Sequence, residues 1–188
     1  SGTNFGSSAV YHTASSTATT AKLEMRNNIL VNTSVANGTG RTSALRRSSA
    51  WVSNFAETSD NNILYAGTPG VQNVVYYNGN SYQTMEAYQA EVSPREASSH
   101  TEMPPFVNIT TQPFNLRMKT DLPTLAEGTA LVISTPVSIT TDFDGEPRGS
   151  NPDIGADEFE GISGYVENPA SFEASPASSQ QNKLSFSK

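Results

Sequence analysis

The tetrapeptide Asn27-Asn28-Ile29-Leu30 recurs as Asn61-Asn62-Ile63-Leu64, 34 positions later, and another Asn-led apolar run follows at Asn73-Val74-Val75-Tyr76-Tyr77. Self-similarity at this period marks a chain that stacks one turn of backbone on the next, because a single repeat cannot bury its own apolar face. Asparagine suits such a stack for two reasons. Its amide can hydrogen-bond up a ladder of equivalent residues about 4.8 Å apart, and its short side chain tolerates the left-handed backbone of a tight corner. The spacing therefore predicts a structural ladder, with Asn28 over Asn62 at a corner and Ile29 over Ile63 pointing inside the turn.

Composition fits a β-rich reading. The 188 residues include 25 Ser, 20 Thr and 16 Asn, and only 15% are charged, well below the roughly 25% of ordinary soluble domains. Thr favours pleated backbone, and Ser and Asn favour turns. A formal net charge of -7 excludes the basic patch that phosphate recognition needs, so no nucleic-acid partner is expected. With no Cys there is neither a disulfide framework nor a thiolate metal site. No apolar run approaches the length of a membrane-spanning helix. The start at Ser1-Gly2-Thr3-Asn4 carries no initiator Met or signal peptide, as expected if a leader was removed or if this is a piece of a longer polypeptide. The Asn-x-Ser/Thr triplets at Asn32, Asn37 and Asn108 are glycosylation acceptors if the source is a eukaryote, although chance in so Asn- and Thr-rich a chain is the favoured explanation.

Along the chain, Leu23, Met25, Ile29 and Val31 alternate with polar residues and predict two short strands around the Asn pair. Residues 38–59 are too long for a corner and read as a projecting loop or short hairpin. Within them Arg46 and Arg47 beside Trp51 form a candidate sugar or carboxylate site through stacking and paired hydrogen bonds. The plainer alternative is a loop anchored by a buried Trp and solvated by two Arg. Tyr82, Met85, Tyr88 and Val92 follow a helical period after Ser81, a possible N-cap, and Pro94 stops the segment. That predicts one short helix whose aromatic stripe is core. Residues 114–118, 130–133 and 137–139 read as strands or sheet edges. After Glu160 the chain becomes Ser/Ala/Gln-rich and linker-like, with Phe172, Leu184 and Phe186 as its few anchors.

Several stretches resemble a known group. Residues 80–89, Ser98-Ser99, Pro104-Pro105-Phe106, residues 114–119 and Asp121-Leu122-Pro123 resemble the C-terminal portion of secreted bacterial right-handed parallel β-helix proteins of the pectin-lyase-like, choice-of-anchor type. The ending Asp142-Phe143-Asp144-Gly145-Glu146-Pro147-Arg148, continued by Asp153-Ile154-Gly155-Ala156-Asp157-Glu158-Phe159, is especially similar to theirs. The resemblance covers roughly residues 21–159 and speaks to fold more than activity. It implies an all-β chain, a right-handed parallel β-helix of few coils with one short helix and an irregular C-terminal cap and tail. Residues 1–159 would be coils and cap, and residues 160–188 a tail packing on the body or a neighbour. Family members carry more coils upstream, so the partners implied are further coils of the same polypeptide or neighbouring subunits.

The chemistry is sparse. His12 and His100 lie 88 positions apart with no triad companions. Asp142, Asp144 and Glu146 make a possible calcium site, although a bidentate Glu at the twelfth position is missing. Paired carboxylates could also serve a hydrolase. Against both stands a capping role, in which Asp142 and Asp144 close a turn, Arg148 pairs with Asp153 or Glu158, and Gly145 and Gly155 supply positive φ. The favoured function is a non-catalytic structural or adhesive protein at the cell surface or outside the cell, with no obligatory cofactor. The alternative is the C-terminal segment of a polysaccharide lyase or glycoside hydrolase, with Trp51, Arg46, Tyr76 and Tyr77 as sugar contacts.

Overall fold

Asn27 and Asn61 both adopt left-handed backbone, with φ of 59° and 53°, and each turns the chain into a short strand that pairs with the other. In the computed structural model, which describes residues 2–18 and 21–164, β2 (Ile29–Val31) lies parallel to β4 (Ile63–Tyr65), Ile29 opposite Ile63 and Leu30 opposite Leu64. The same spacing governs a second sheet. β1 (Ser7–His12), β3 (Thr42–Arg47) and β5 (Asn73–Tyr77) run parallel, Ser7 opposite Thr42 and Thr42 opposite Asn73. The short β6 (Ser81–Tyr82) adds antiparallel to β5, so this four-stranded sheet is mixed.

Isolated parallel bridges join Leu23 to Phe55, Arg26 to Asp60, and Ile63 to His100. The backbone around Ile63 is therefore bonded on both sides: Ile63 N–H donates to Asn28 O, Leu64 N–H to His100 O, and His100 N–H to Asn62 O. Three passes of chain thus lie side by side. The described chain is all-β apart from α1 (Met85–Val92). Its remaining sheets are small: β7 (Phe106–Asn108) antiparallel to β8 (Asn115–Met118), and β9 (Pro123–Thr124) parallel to β10 (Ile162–Ser163).

Two apolar clusters hold these pieces together. The first lies among the three passes and α1, and includes Leu45, Phe55, Leu64, Tyr76, Tyr88 and Val92. The second lies on the other side of β4, where Ile63 meets Met118, Ala126 and Ile154, with Ile29 and Phe106 against them. This corrects the expected direction of the ladder. Ile29 and Ile63 are stacked, but they face outward under residues 106–159, and their neighbours Leu30 and Leu64 supply the inner core. Strand alternation allows only one of each pair inside.

The C-terminal segment is gripped by the first Asn of each pair. Asn27 Nδ2 donates to Leu131 O and its Oδ1 accepts from Leu131 N–H, while Asn61 Nδ2 donates to Thr129 O. Gly155, at φ 118°, donates its N–H to Asn27 O, and a Cβ there would meet Ile29 Cδ1 at 3.0 Å. Only glycine allows that approach.

Other expectations need revision. Residues 42–47 are not a projecting loop but the middle strand of the parallel sheet, buried except at Arg46. The helix begins later than expected, with Thr84 as its N-cap accepting from Ala87 N–H, because Ser81 is engaged in β6. No strand forms at residues 130–133 or 137–139, although Ile139 N–H donates to Ile133 O. The expected packing of the tail concerns residues 165–188, which lie outside the described residues.

Candidate functional site

The second Asn of each pair faces inward and builds a polar spine. Asn62 Oδ1 accepts from the N–H and Nδ2 of Asn28, while Asn62 Nδ2 donates to Met25 O and to Glu96 Oε2. Ser99 Oγ accepts from Asn62 N–H and donates to the same Glu96 oxygen at 2.6 Å. Glu96 is completely buried, and burial pushes its carboxyl above the usual range against the pull of these donors. The Tyr88 hydroxyl lies against it; burial, then this carboxylate, pushes that hydroxyl well up. Such a group is stabilising when protonated and costly when charged.

A pH dependence follows. The penalty is absent below the ordinary glutamate pKa and grows as pH rises from there through the elevated folded value. Glu96→Gln, which keeps an acceptor for Asn62 and Ser99, should gain stability relative to wild type between pH 4 and pH 8. Urea midpoints of the two proteins across that range would check it. A difference independent of pH would show that the carboxyl is charged without cost.

Arg47, on the inner side of β3, is 1% exposed. Its Nη2 donates to Asn54 Oδ1 at 2.6 Å, its guanidinium lies over the Phe55 ring, and its Nε and Nη1 have no hydrogen-bond partner. Tyr76 is also completely buried, its ring 4.6 Å from that of Tyr88, and its hydroxyl is pushed up to about 12, chiefly by burial. Tyr76 therefore cannot be the surface sugar contact expected of it. Trp51 is 56% exposed, which removes the alternative of a buried anchor, but none of its ring contacts is with Arg46.

The outer side of the same sheet is different. Tyr11, Arg46 and Tyr77 stand opposite one another on β1, β3 and β5. The Arg46 guanidinium lies 5.2 Å from the Tyr11 ring centre and 5.6 Å from that of Tyr77. Arg41 lies 5.9 Å from the Tyr77 ring, and is fixed by Nε donating to Ser81 Oγ and Nη1 to Thr39 O. Of the expected sugar contacts, Arg46 and Tyr77 come together. Tyr11, at the start of a polar stretch with no obvious period, was missed; its register with Arg46, 35 positions on, was the available signal.

The acidic ending gathers Asp142, Asp144 and Asp157, with ligand-type oxygens within 4.8 Å of one another. Glu146 is not in this group: its backbone N–H donates to Asp142 Oδ1, as does that of Asp144, and Glu158 N–H donates to Asp142 Oδ2. These amides, that of Glu158 foremost, hold the Asp142 carboxyl below the usual range. Arg117 bridges Asp144 and Asp157. Arg148 pairs with Glu158 at 2.7 Å and donates to Asp153 O, and Gly145 takes φ of 89°. Chemically this is a turn closed by amides on Asp142, with Arg148 from the same stretch and Arg117 from β8 each meeting part of its negative charge. Elsewhere, Asn32 of the first glycosylation triplet is buried, its amide donating to Ser7 Oγ and Ser43 O. No protein-family model, curated protein or solved structure matches the chain, so function has to be read from its own residues.

Proposed function

We propose that the chain is the closing part of a right-handed parallel β-helix, serving as a non-catalytic structural or adhesive module outside the cell and seated on a further coil. Support for a winding chain is the parallel pairing of successive passes at nearly constant spacing, 35 and then 31 residues in one sheet and 34 in the other. Right-handedness follows from the near-universal hand of parallel crossovers. The Ser-, Thr- and Asn-rich surface supports life outside the cell.

One observation carries the need for a further coil. Equivalent positions are less buried on the first pass than on the second. Asn28 is exposed where Asn62 is fully buried, and Val10, Ile29 and Leu30 are half-exposed where Leu45, Ile63 and Leu64 are fully buried. β1 and β2 are edge strands, and a largely apolar groove of about 640 Å³ opens beside β2 toward Phe106, Ile109 and Leu116. Asn62 Oδ1 accepts from the pass before it, and Asn28 Oδ1 accepts nothing from an earlier one among the described residues. Unpaired edges of this kind invite another strand layer.

Duplicating residues 29–62 in place tests the winding, because both new junctions reproduce native Asn-Ile neighbours. A stacked coil should accept the extra turn, unfold cooperatively and melt several degrees higher, since each added repeat contributes a new interface. Loss of cooperative unfolding in calorimetry would overturn the reading.

A further inference from the structure

We propose that the outer face formed by Tyr11, Arg46, Tyr77 and Arg41 is a binding site for a sugar bearing an isolated acidic group, a carboxylate or a sulfate ester. Among the described residues four of the seven arginines, Arg26, Arg95, Arg117 and Arg148, have a carboxylate partner. The other three, Arg41, Arg46 and Arg47, all belong to β3 or the residue before it, and only Arg47 points inward. In a chain of net charge -7, two cations left unpaired on one face are a local inversion of sign. Arg46 makes no hydrogen bond or ion pair among the described residues. The two tyrosine rings flank its guanidinium, which is exposed and has its N–H donors unused among the described residues, and a guanidinium in that state can take a carboxylate or sulfate through two parallel bonds.

The surroundings name the rest of the ligand. The adjoining groove, about 250 Å³, is lined by Ser8, Ser43, Thr39 and Asn4 together with both arginines and Tyr77. It holds hydroxyls, an amide and an aromatic ring, and no aliphatic side chain, so it suits a polyhydroxylated ring that stacks one face and hydrogen-bonds at its edge. Net charge limits the ligand further. A densely charged polyanion would be repelled by the rest of the molecule, so the acid groups it carries are few. Three successive passes contribute Tyr11, Arg46 and Tyr77 in register, which fixes the spacing of the platform to that of the strands, about 4.8 Å. The site is independent of the assembly reading, since it needs only the register that β1, β3 and β5 show.

The test is a two-dimensional NMR titration of the full chain with four probes: methyl β-glucuronoside, glucose 6-sulfate, methyl β-glucoside and acetate. The acidic sugars should shift the Arg46 side chain and the Tyr11 and Tyr77 rings, saturating on the order of 1 mM, with the neutral sugar at least about tenfold weaker. Which acidic sugar binds more tightly distinguishes carboxylate from sulfate. Arg46→Gln should weaken binding about tenfold or more, while Trp51→Ala leaves it unchanged; a retained amide spectrum in each shows that the fold is intact. Added salt should weaken binding. Equal shifts by glucoside and glucuronoside, equal shifts by acetate and glucuronoside, an unaffected Arg46→Gln, or no saturable shift at all would each overturn the proposal.

Discussion

Asn62→Ala is expected to lower unfolding free energy by about 2–3 kcal/mol, whereas Asn28→Ala, the same residue one pass earlier, should cost about 1 kcal/mol or less. The two asparagines share sequence context and ladder position, and differ in what surrounds them. Asn62 serves four hydrogen bonds across three parts of the chain: two from Asn28, one to Met25 O and one to Glu96. Its removal takes one of two donors from the Met25 carbonyl, which keeps Asp60 N–H, and one of two from the Glu96 oxygen, which keeps Ser99 Oγ, in a closed interior, at about 1–1.5 kcal/mol for each bond lost. Asn28 is exposed, and without its side chain Asn62 Oδ1 still accepts from the Asn28 backbone N–H. Urea denaturation of both variants checks the ratio. Similar small losses for both would mean that the polar spine is wet and contributes little. Asn62→Asp separates shape from chemistry: it preserves size but sets a second carboxylate against Glu96, and should be worse at neutral pH than at pH 4, where the pair can share protons.

The repeat made part of this architecture legible, and its limits are physical. An Asn pair at one period announces a corner, but two roles are divided between its members that letter patterns do not separate. Asn27 and Asn61 take the left-handed backbone and hold the C-terminal segment, while Asn28 and Asn62 form the ladder. Which of Ile or Leu then faces the inner core depends on the corner's backbone, and so the direction of Ile63 was not readable. β1 and β3 were hidden for another reason. In Thr42–Arg47 the buried positions include Thr42, Ser43 and Arg47, because an interior with its own polar spine accepts them, and in Ser7–His12 no position is fully buried. Apolar periodicity has nothing to register there. Tyr76 and Tyr77 are likewise indistinguishable as letters. Register alone sends one to the core beside Tyr88 and the other to the Arg46 platform.

The acidic ending was readable in its chemistry because its partners are local. Asp142 satisfies amides two, four and sixteen residues on, and the glycines that permit this turn lie within the same stretch. What the sequence could not indicate was Arg117, which arrives from β8 to bridge Asp144 and Asp157. A cation supplied across space thus joins the local amide bonds in holding the turn, beside which Ile154 packs against Ile63.

Phe55→Ala should be the most damaging single truncation of an apolar side chain. Phe55 is completely buried, and two guanidinium groups lie over its ring, Arg47 at 5.0 Å and Arg95 at 5.6 Å. Arg95 is held by donating to Phe55 O and Val92 O and reaches Glu57 only at 3.8 Å, while Arg47 has no carboxylate partner among the described residues. The ring is thus a large part of what solvates two desolvated cations that repel one another. Losing it costs about 3–5 kcal/mol for the cavity and about 1–2 kcal/mol for each desolvated cation–π contact. That sum approaches the roughly 5–15 kcal/mol stability of a whole domain, so Phe55→Ala should not fold well. Phe55→Leu, which refills most of the space, should survive with a loss of about 2–4 kcal/mol. A double-mutant cycle with Arg47→Met then divides the effect. If the ring stabilises the cation, Phe55→Leu should cost about 1–2 kcal/mol less in the Arg47→Met background than in wild type. Strict additivity would mean that Phe55 acts by filling space alone, and that Arg47 is tolerated in the interior through Asn54.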